Sequence, residues 1–282
     1  AGLTAAMALR PNATDNCSSG GGITMNASPV DRVDSCANGY VLTRTWNFTD
    51  ECGNTSADFV QIITVQDTKA PVIATATFAL DKTLECTDAA GIAAALALEP
   101  SATDNCSTGA GITLTLLTDN TVTSLNCANG YTRTRIWNFT DECGNVSANY
   151  VQTIIVVDTT APVISTVAGS LDRNLECSDS AGLNAALALV PAATDACSAN
   201  TIITLVTDIS TPSLTCGKGY TRVRTWNFRD ACGNTSVNFV QTITVVDTTP
   251  PVISTVAASL DRTVQCSDNA GLNAALALVP TA

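Results

Sequence analysis

The sequence predicts an all-β protein made of tandem immunoglobulin-like β-sandwich repeats of about 90 residues each. Trp46, Trp137 and Trp226 recur at steps of 91 and 89 residues inside nearly identical segments. The 12 cysteines recur with the same period, four to a repeat. Short alternating or β-branched runs between Gly, Pro, Asn and Asp are typical of strands joined by turns. The period is too long for a solenoid repeat and suits a small sandwich domain.

The boundaries between repeats fall at a proline-containing segment that occurs three times, as DTKAPVI, DTTAPVI and DTTPPVI. Proline fixes φ and biases the preceding residue towards extended geometry, so this segment is expected to be a short, stiff linker. The sequence at 1–17 matches that at 90–106, which lies inside a repeat. We therefore expect a first repeat that lacks its opening strands, two complete repeats and the opening part of a fourth. Their expected bounds are 1–70, 71–161, 162–250 and 251–282.

The second repeat shows the predicted strands most clearly. Residues 131–140 alternate strictly and place Tyr131, Trp137 and Phe139 on one face of a strand. A β-branched run at 150–157 predicts the neighbouring strand. Further strands are expected at 80–86, at 112–118 and, as a short edge strand, at 70–73.

Two arginines, Arg133 and Arg135, lie on the same strand face as Trp137. The favoured interpretation is structural, with the aliphatic stems along the sheet and the guanidinium groups on an aromatic ring or a carboxylate. Ligand binding is the alternative.

One segment of each repeat departs from the strand pattern. Residues 90–100 are rich in Ala and Leu and poor in β-branched side chains. Thr87-Asp88 is suited to cap a helix, and Pro100 would end one. We therefore expect one short helical insert in each repeat, with a buried strand as the alternative.

The composition excludes several classes of function. The chain has no histidine, so a Ser-His-Asp or Cys-His nucleophile and a His-ligated zinc site are absent. The formal net charge of −12 disfavours nucleic acid as a partner. No apolar run approaches the roughly 18 residues of a membrane span. The acidic residues recur from repeat to repeat without a singular cleft, so we expect no enzyme.

The run YTRTRIWNFTDECGNVSANYVQTIIVVDTTAPVI at 131–164 resembles the HYR-like (hyalin-repeat-like) immunoglobulin-fold repeats of very large Bacteroidota cell-surface proteins and gliding-motility adhesins. TDECGN, ATDNC and DTTAPVI carry the resemblance most specifically. It implies an extracellular repeat, secreted across the outer membrane, with a role in stalks, adhesion or gliding motility. Four cysteines per repeat and the alanine-rich insert depart from the plain HYR pattern.

The recurring cysteines predict disulfides and an oxidising, extracytoplasmic location, because the short C-x2-C spacing of a zinc site is missing. A strand of about ten residues places Cys127 and Cys143 roughly 33 Å apart, so these two do not pair. In an immunoglobulin-like path, Cys106 and Cys143 fall at one end of the sandwich, and Cys86 and Cys127 at the other. We therefore predict the bonds Cys106–Cys143 and Cys86–Cys127. Repetition adds Cys197–Cys232, Cys177–Cys216 and Cys17–Cys52, and it leaves Cys36 and Cys266 unpaired or paired outside this chain.

The acidic loops at one sandwich end are candidate ligands for a metal ion. Asp104, Asn105, Asp141, Glu142 and Asn145 would lie close together if the predicted disulfide at that end forms. Several oxygen ligands in one place suit Ca²⁺. The alternative is ordinary loop chemistry, in which Asp and Asn side chains bond nearby backbone groups.

Two functional hypotheses follow. The first is a structural and adhesive segment, a stalk or filament of a long extracellular repeat protein at a bacterial cell surface. Its partners would be neighbouring repeats or copies of itself in a fibre. The alternative is a calcium-dependent adhesin module that binds surface glycans or proteins.

Overall fold

Strands predominate in the computed structural model, which describes residues 2–125, 127 and 129–281. Short helices are the minority, and the sheets are sandwich-like, which confirms the predicted all-β fold class. Within the described residues, none of the helices has the length and apolar character needed to span a membrane.

The chain forms two compact units. The first comprises Ala1–Thr160 together with Ala196–Ser198, and the second comprises Ala161–Asp195 and Ala199–Ala282. The four repeat bounds given above stay a prediction, and the repeats are numbered by them below.

The first repeat lies in the first unit and is built around one long strand. This strand, β3, pairs antiparallel with three others: β1 and β2 along one edge and β4 along the other. Phe59 at the start of β4 is 52% exposed, whereas its counterparts Tyr150 and Phe239 are 4% exposed. The elements are α1 (Gly2–Ala8), β1 (Thr24–Ala27), β2 (Asp31–Cys36), β3 (Gly39–Thr49) and β4 (Phe59–Val65).

The second repeat, also in the first unit, has a four-stranded sheet in the order β6-β10-β9-β8. Strand β6 runs parallel to β10, and the other neighbours are antiparallel. Two short strands, β5 and β7, form a second antiparallel sheet. The elements are β5 (Val72–Ile73), β6 (Lys82–Glu85), α2 (Ala89–Leu96), β7 (Ala102–Thr103), β8 (Ile112–Thr123), β9 (Tyr131–Asp141) and β10 (Tyr150–Val157).

The second unit repeats this topology. Its main sheet has the order β12-β16-β15-β14, with β12 parallel to β16, and its small sheet pairs β11 with β13. The elements are β11 (Val163–Ile164), β12 (Arg173–Glu176), α3 (Ser180–Ala188), β13 (Ala193–Thr194), β14 (Ile202–Pro212), β15 (Tyr220–Arg229), β16 (Phe239–Val246) and α4 (Asn269–Leu276).

The alanine-rich insert is a helix, as predicted. Helix α2 starts after Asp88, whose carboxylate accepts a hydrogen bond from the backbone N–H of Gly91 at 2.8 Å. This is the side-chain cap that an Asp at the N-cap position provides. Ala95 faces the sheet and packs on Ile154 and Val156 of β10, so the helix covers the core of the repeat.

A fully buried glutamine ties the helix to the sheet. Gln152 of β10 is 0% exposed, and its amide donates to the carbonyls of Leu80 at 2.9 Å and Ala95 at 3.1 Å. Its side-chain oxygen accepts from Arg135. Because a buried amide without partners is costly, this satisfied network specifies how the helix docks. Gln241 makes the equivalent bonds in the second unit.

Both arginines on the tryptophan face take part in packing and pairing. The Arg135 guanidinium lies 4.5 Å from the centre of the Trp137 ring, and its Nη1 donates to the carbonyl of Leu96 at 2.8 Å. Arg133 donates two hydrogen bonds to Asp119, at 2.6 and 2.7 Å. Asp119 belongs to β8, which ends at Thr123, five residues after the predicted end at 118. The strand contains a bulge between Leu116 and Thr118.

Candidate functional site at the junction of consecutive repeats

A disulfide joins two consecutive repeats within the first unit. Cys36 ends β2 in the first repeat, and Cys143 follows β9 in the second. Their Cα atoms are 5.1 Å apart although 107 residues separate them in the chain. The bond is therefore a covalent connection between repeats in addition to the peptide linker.

A tight turn presents Cys36. The strand pairing of β2 with β3 sets Cys36 opposite Gly39, so only two residues lie between them. A Cβ atom at Gly39 would lie 2.6 Å from the Cys36 sulfur and 2.8 Å from the Ser35 hydroxyl. A larger residue at this position would therefore displace the sulfur of the disulfide, so glycine is favoured here.

The loop after β9 presents Cys143. Asp141 turns the loop back on itself: its Oδ1 accepts from the backbone N–H groups of Cys143 at 2.9 Å and Asn145 at 2.8 Å. Gly144 between them has a φ of +86°, which side chains other than glycine rarely adopt. The D-E-C-G-N motif is thus the loop that holds this cysteine in place.

A second disulfide joins Cys86, directly after β6, to Cys197. Cys197 belongs by sequence to the third repeat, but Ala196–Ser198 lie in the first unit. The Cα atoms are 5.9 Å apart, and the two cysteines are 111 positions apart in the chain. Asn129 donates its side-chain amide to the carbonyl of Cys197.

These bonds correct the predicted pairings. Cys143 bonds to Cys36 and not to Cys106, and Cys86 bonds to Cys197 and not to Cys127. Cys36, which was expected to lack a partner in this chain, therefore has one. All twelve cysteines are described: Cys127 and Cys232 are also disulfide-bonded, and Cys17, Cys52, Cys106, Cys177, Cys216 and Cys266 are free. The pairs Cys17–Cys52, Cys177–Cys216 and Cys197–Cys232 accordingly do not form.

The strand order explains one of these corrections. Strand β10 lies between β6, which leads to Cys86, and β9, which follows Cys127. Two strand spacings amount to about 10 Å, beyond the roughly 7 Å that a disulfide allows between Cα atoms. The prediction placed both cysteines at the same end of the sheet without knowing that a strand separates them.

The other correction concerns the bond predicted between Cys106 and Cys143. The loops that carry Cys106 and Cys143 do approach each other, but through the carboxylates of Asp104 and Asp141. The sulfur of Cys143 is bonded to Cys36 of the preceding repeat instead.

Three carboxylates converge next to the Cys36–Cys143 bond. Asp67, Asp104 and Asp141 each place one oxygen within 4.8 Å of the others. Asp67 and Asp141 are buried, at 8% and 5% exposure. The Oδ2 atoms of Asp67 and Asp104 are buried and have no hydrogen-bond partner among the described residues. Buried, unpaired carboxylate oxygens are costly, and a cation would satisfy them.

The sequence prediction missed Asp67. This residue lies in the DTKAPVI linker, in the repeat before the one that carries Asp104 and Asp141. Asn145 ties it to the site by donating its side-chain amide to the Asp67 carbonyl at 3.2 Å. The recurrence of Asp67 as Asp158 and Asp247 was the signal that marked it.

The other predicted metal ligands have different roles in the structure. Asn145 donates its amide to Asp141 Oδ2 at 2.8 Å. Asn105 donates to the sulfur of Cys106 at 2.8 Å. Glu142 accepts from Asn38 of the first repeat at 3.4 Å. Of the five predicted residues, only Asp104 and Asp141 are in the carboxylate cluster.

Burial and the nearby carboxylates affect the ionisation of the groups around the cluster. The pKa of the Cys106 thiol is raised, first by desolvation and then by the negative charges of Asp67 and Asp104. The pKa of Asp104 is lowered, chiefly because it accepts hydrogen bonds from the backbone N–H groups of Ser107 and Cys106. Asp104 therefore stays ionised and available to a cation.

The family model described as an HYR-like domain with 4 cysteines matches residues 3–65, 74–156 and 165–245. These three segments make up most of the chain, so the protein belongs to this family of tandem repeats. The match confirms the prediction of tandem HYR-like repeats. A search of the curated proteins found no significant match.

The chain has remote likeness to several solved structures. Human protocadherin-24 EC1-2 is 12% identical, with 64% of this chain and 100% of that one covered and a TM-score of 0.27. Protocadherin gamma B2 extracellular cadherin domains 1-5 are 11% identical, with 79% and 52% covered and a TM-score of 0.29. The sialic acid binding region of a Streptococcus sanguinis SK1 adhesin is 17% identical, with 84% and 64% covered and a TM-score of 0.18. Likeness at this level carries no functional argument.

Proposed function

We propose that this chain is a structural and adhesive segment, a stalk or filament, of a long extracellular repeat protein at a bacterial cell surface. The observation that carries the proposal is the Cys36–Cys143 bond, which connects consecutive repeats covalently. Repetition of one module and the absence of histidine favour a non-enzymatic role. The resemblance to Bacteroidota surface proteins and gliding-motility adhesins supports secretion across the outer membrane.

The bond suits a protein that carries tension. A pulling force that reaches Cys36 passes directly to Cys143, 107 positions further along the chain, so the stretch between them is shielded from it. Disulfides of this kind persist in oxidising compartments and on cell surfaces, which supports the extracellular location.

Stretching the chain by its two ends tests this role. The 107-residue separation corresponds to roughly 350–385 Å of extended chain, so reduction should lengthen the fully stretched molecule by at least that amount. Reduction of the other disulfides can only add to this increase in length. The proposal fails if the oxidised and reduced molecules reach the same extension.

A second function is favoured by the cluster of Asp67, Asp104 and Asp141. We propose that these three carboxylates bind Ca²⁺ where the linker of one repeat meets the loops of the next, as part of an adhesin module for surface glycans or proteins. The two buried oxygens without partners support this site. Three carboxylates supply part of the six to eight oxygen ligands that Ca²⁺ takes, and water would supply the rest.

Calorimetric titration with CaCl₂ tests the calcium site. Asp67→Asn should lower the number of bound ions by one per chain. Asp34→Asn is the matched control, because Asp34 is an exposed acid whose ion pair is with Arg32. Equal binding by the wild type and Asp67→Asn would reject the site without bearing on the load-carrying role.

A further inference from the structure

The two disulfides with identified partners follow one rule. Cys36–Cys143 joins the third cysteine of one repeat to the fourth cysteine of the next. Cys86–Cys197 joins the first cysteine of one repeat to the second cysteine of the next. We number the cysteines by their order within a repeat. The first-position cysteines are Cys86, Cys177 and Cys266, and the second-position cysteines are Cys17, Cys106 and Cys197. The third-position cysteines are Cys36, Cys127 and Cys216, and the fourth-position cysteines are Cys52, Cys143 and Cys232.

The rule accounts for every other cysteine in the chain. It assigns bonds to Cys127 and Cys232, a third and a fourth cysteine, and both are disulfide-bonded. The six free cysteines are those whose partner under the rule is not among residues 1–282. These are Cys17, Cys52, Cys106, Cys177, Cys216 and Cys266.

We propose that the six free cysteines are bonding positions for adjacent four-cysteine repeats, so that every repeat is linked to each neighbour by two disulfides. The partner is a repeat of the same family. The repeat next to the first repeat presents its first-position cysteine to Cys17 and its third-position cysteine to Cys52. This inference goes beyond the proposed function, because it concerns unbonded positions and holds whether the repeats carry load or bind a ligand.

The free cysteines of the first repeat lie in loops with the geometry of their counterparts. Asp50 Oδ1 accepts from the N–H groups of Cys52 at 2.9 Å and Asn54 at 2.8 Å, as Asp141 does around bonded Cys143. Asp15 Oδ1 accepts from Cys17 and Ser18. Because these loops are already formed, a partner cysteine would meet each thiol in its bonding geometry.

Two free cysteines of the second unit, Cys177 and Cys216, are held by backbone hydrogen bonds. The N–H of Cys177 donates to the carbonyl of Val246 at 2.8 Å, as that of bonded Cys86 donates to Val157 at 2.8 Å. The carbonyl of Cys216 accepts from Gly219 in a tight turn at 3.0 Å.

A cavity in the first repeat lies where its counterpart in the second repeat receives the aspartate of the preceding linker. It measures about 210 Å³ and is lined by Asp15, Asp50, Phe48 and Ile23 among others. Asp15 and Asp50 correspond by sequence to Asp104 and Asp141, the two residues that face Asp67 of the preceding linker in the second repeat. We therefore assign this cavity to the aspartate side chain of another D-T-x-x-P-V-I linker.

The chemistry of each bond is thiol–disulfide exchange. A thiolate of one repeat attacks a low-molecular-weight disulfide such as oxidised glutathione, and one glutathione thiol leaves. The partner thiolate then attacks the mixed disulfide, which forms the new S–S bond and releases the second glutathione. In total, the two cysteine thiols lose two protons and two electrons. One glutathione disulfide accepts these protons and electrons and becomes two glutathione thiols.

A fusion supplies the missing neighbour. Residues 162–269 placed before residue 1 continue the repeat in phase, because Ala270 corresponds to Ala1. After refolding in a glutathione redox buffer, Cys17, Cys52 and Cys106 of the trailing chain should become protected from alkylation. Cys177, Cys216 and Cys266 of that chain should stay reactive. Mapping should show Cys17 and Cys52 bonded to the leading copies of Cys177 and Cys216.

Two further measurements complete the test. Cys52→Ser in the fusion should release only the leading copy of Cys216, and Cys17→Ser only the leading copy of Cys177. A second copy of this chain could also supply the partner repeat. Unfused chain 1–282 at high concentration tests this source, because it would then form interchain Cys17–Cys177 and Cys52–Cys216 bonds. A fusion in which Cys17 and Cys52 remain fully alkylated, or bond to each other, overturns the proposal.

Discussion

Cys36 and Cys143 are bonded with their Cα atoms 5.1 Å apart, and the bond joins a β-hairpin turn of one repeat to an aspartate-held loop of the next. Each cysteine sits in a turn that its own repeat forms from local sequence. Stability at this junction therefore depends on both repeats at once.

Replacing Cys36 by Ser should lower the free energy of unfolding of the first unit by about 2–4 kcal/mol, because a disulfide that closes a long loop restricts the unfolded chain. Urea denaturation under oxidising conditions measures the loss. Cys17→Ser, at a free cysteine, is the control and should change stability by less than about 0.5 kcal/mol.

Double mutants identify the partner. Cys36→Ser combined with Cys143→Ser should cost no more than either change alone, because both remove one bond. Losses that add for this pair, and that fail to add for Cys106→Ser with Cys143→Ser, would instead support the bond within one repeat.

The sequence predicted the elements of this fold better than their connections. Alternation located β9, since side chains of a strand face opposite sides in turn, a β-branched run located β10, and Asp88 marked the start of α2. The disulfides escaped prediction because spacing along the chain does not show that β10 lies between the strands next to Cys86 and Cys127. Asp67 escaped because it reaches its site from the preceding repeat.

Buried Gln152 should contribute more to the free energy of unfolding than its counterpart Gln61 in the first repeat. Gln152→Ala removes the donor to Leu80 and Ala95 from a fully buried position and should cost about 2–3 kcal/mol. Gln61→Ala should cost less than about 1 kcal/mol, since Gln61 is only half-buried and its bond to Ala6 is 3.3 Å long. Thermal unfolding of the two variants compares them, and equal losses would show that the network does not depend on burial.

The reactivity of Cys106 should report on the carboxylate cluster. Negative charge on Asp67 raises the pKa of the Cys106 thiol, so Asp67→Asn should lower that pKa and speed alkylation at a given pH near neutrality. The rate of iodoacetamide labelling at Cys106 against pH measures the shift. Asp34→Asn should leave the profile where it is; a profile unmoved by Asp67→Asn would show that the charge does not reach the thiol.

Acid should weaken the pairing between β8 and β9 through Asp119. Hydrogen bonds from Arg133 hold the pKa of Asp119 below its ordinary value of 3.8. The stability that this pair contributes is therefore present above pH 3.8 and is lost as the pH falls through the lower folded-state value. Asp119→Asn should make the unfolding free energy fall less steeply with acid in that range. An unchanged slope would exclude a contribution from the pair.

Disulfide mapping of the unreduced protein by mass spectrometry tests the covalent linkage of repeats most directly. Peptides that join Cys36 to Cys143 and Cys86 to Cys197 are expected, with six alkylated cysteines at Cys17, Cys52, Cys106, Cys177, Cys216 and Cys266. Peptides that join Cys106 to Cys143 and Cys86 to Cys127 would contradict the linkage, because each repeat would then be closed on itself.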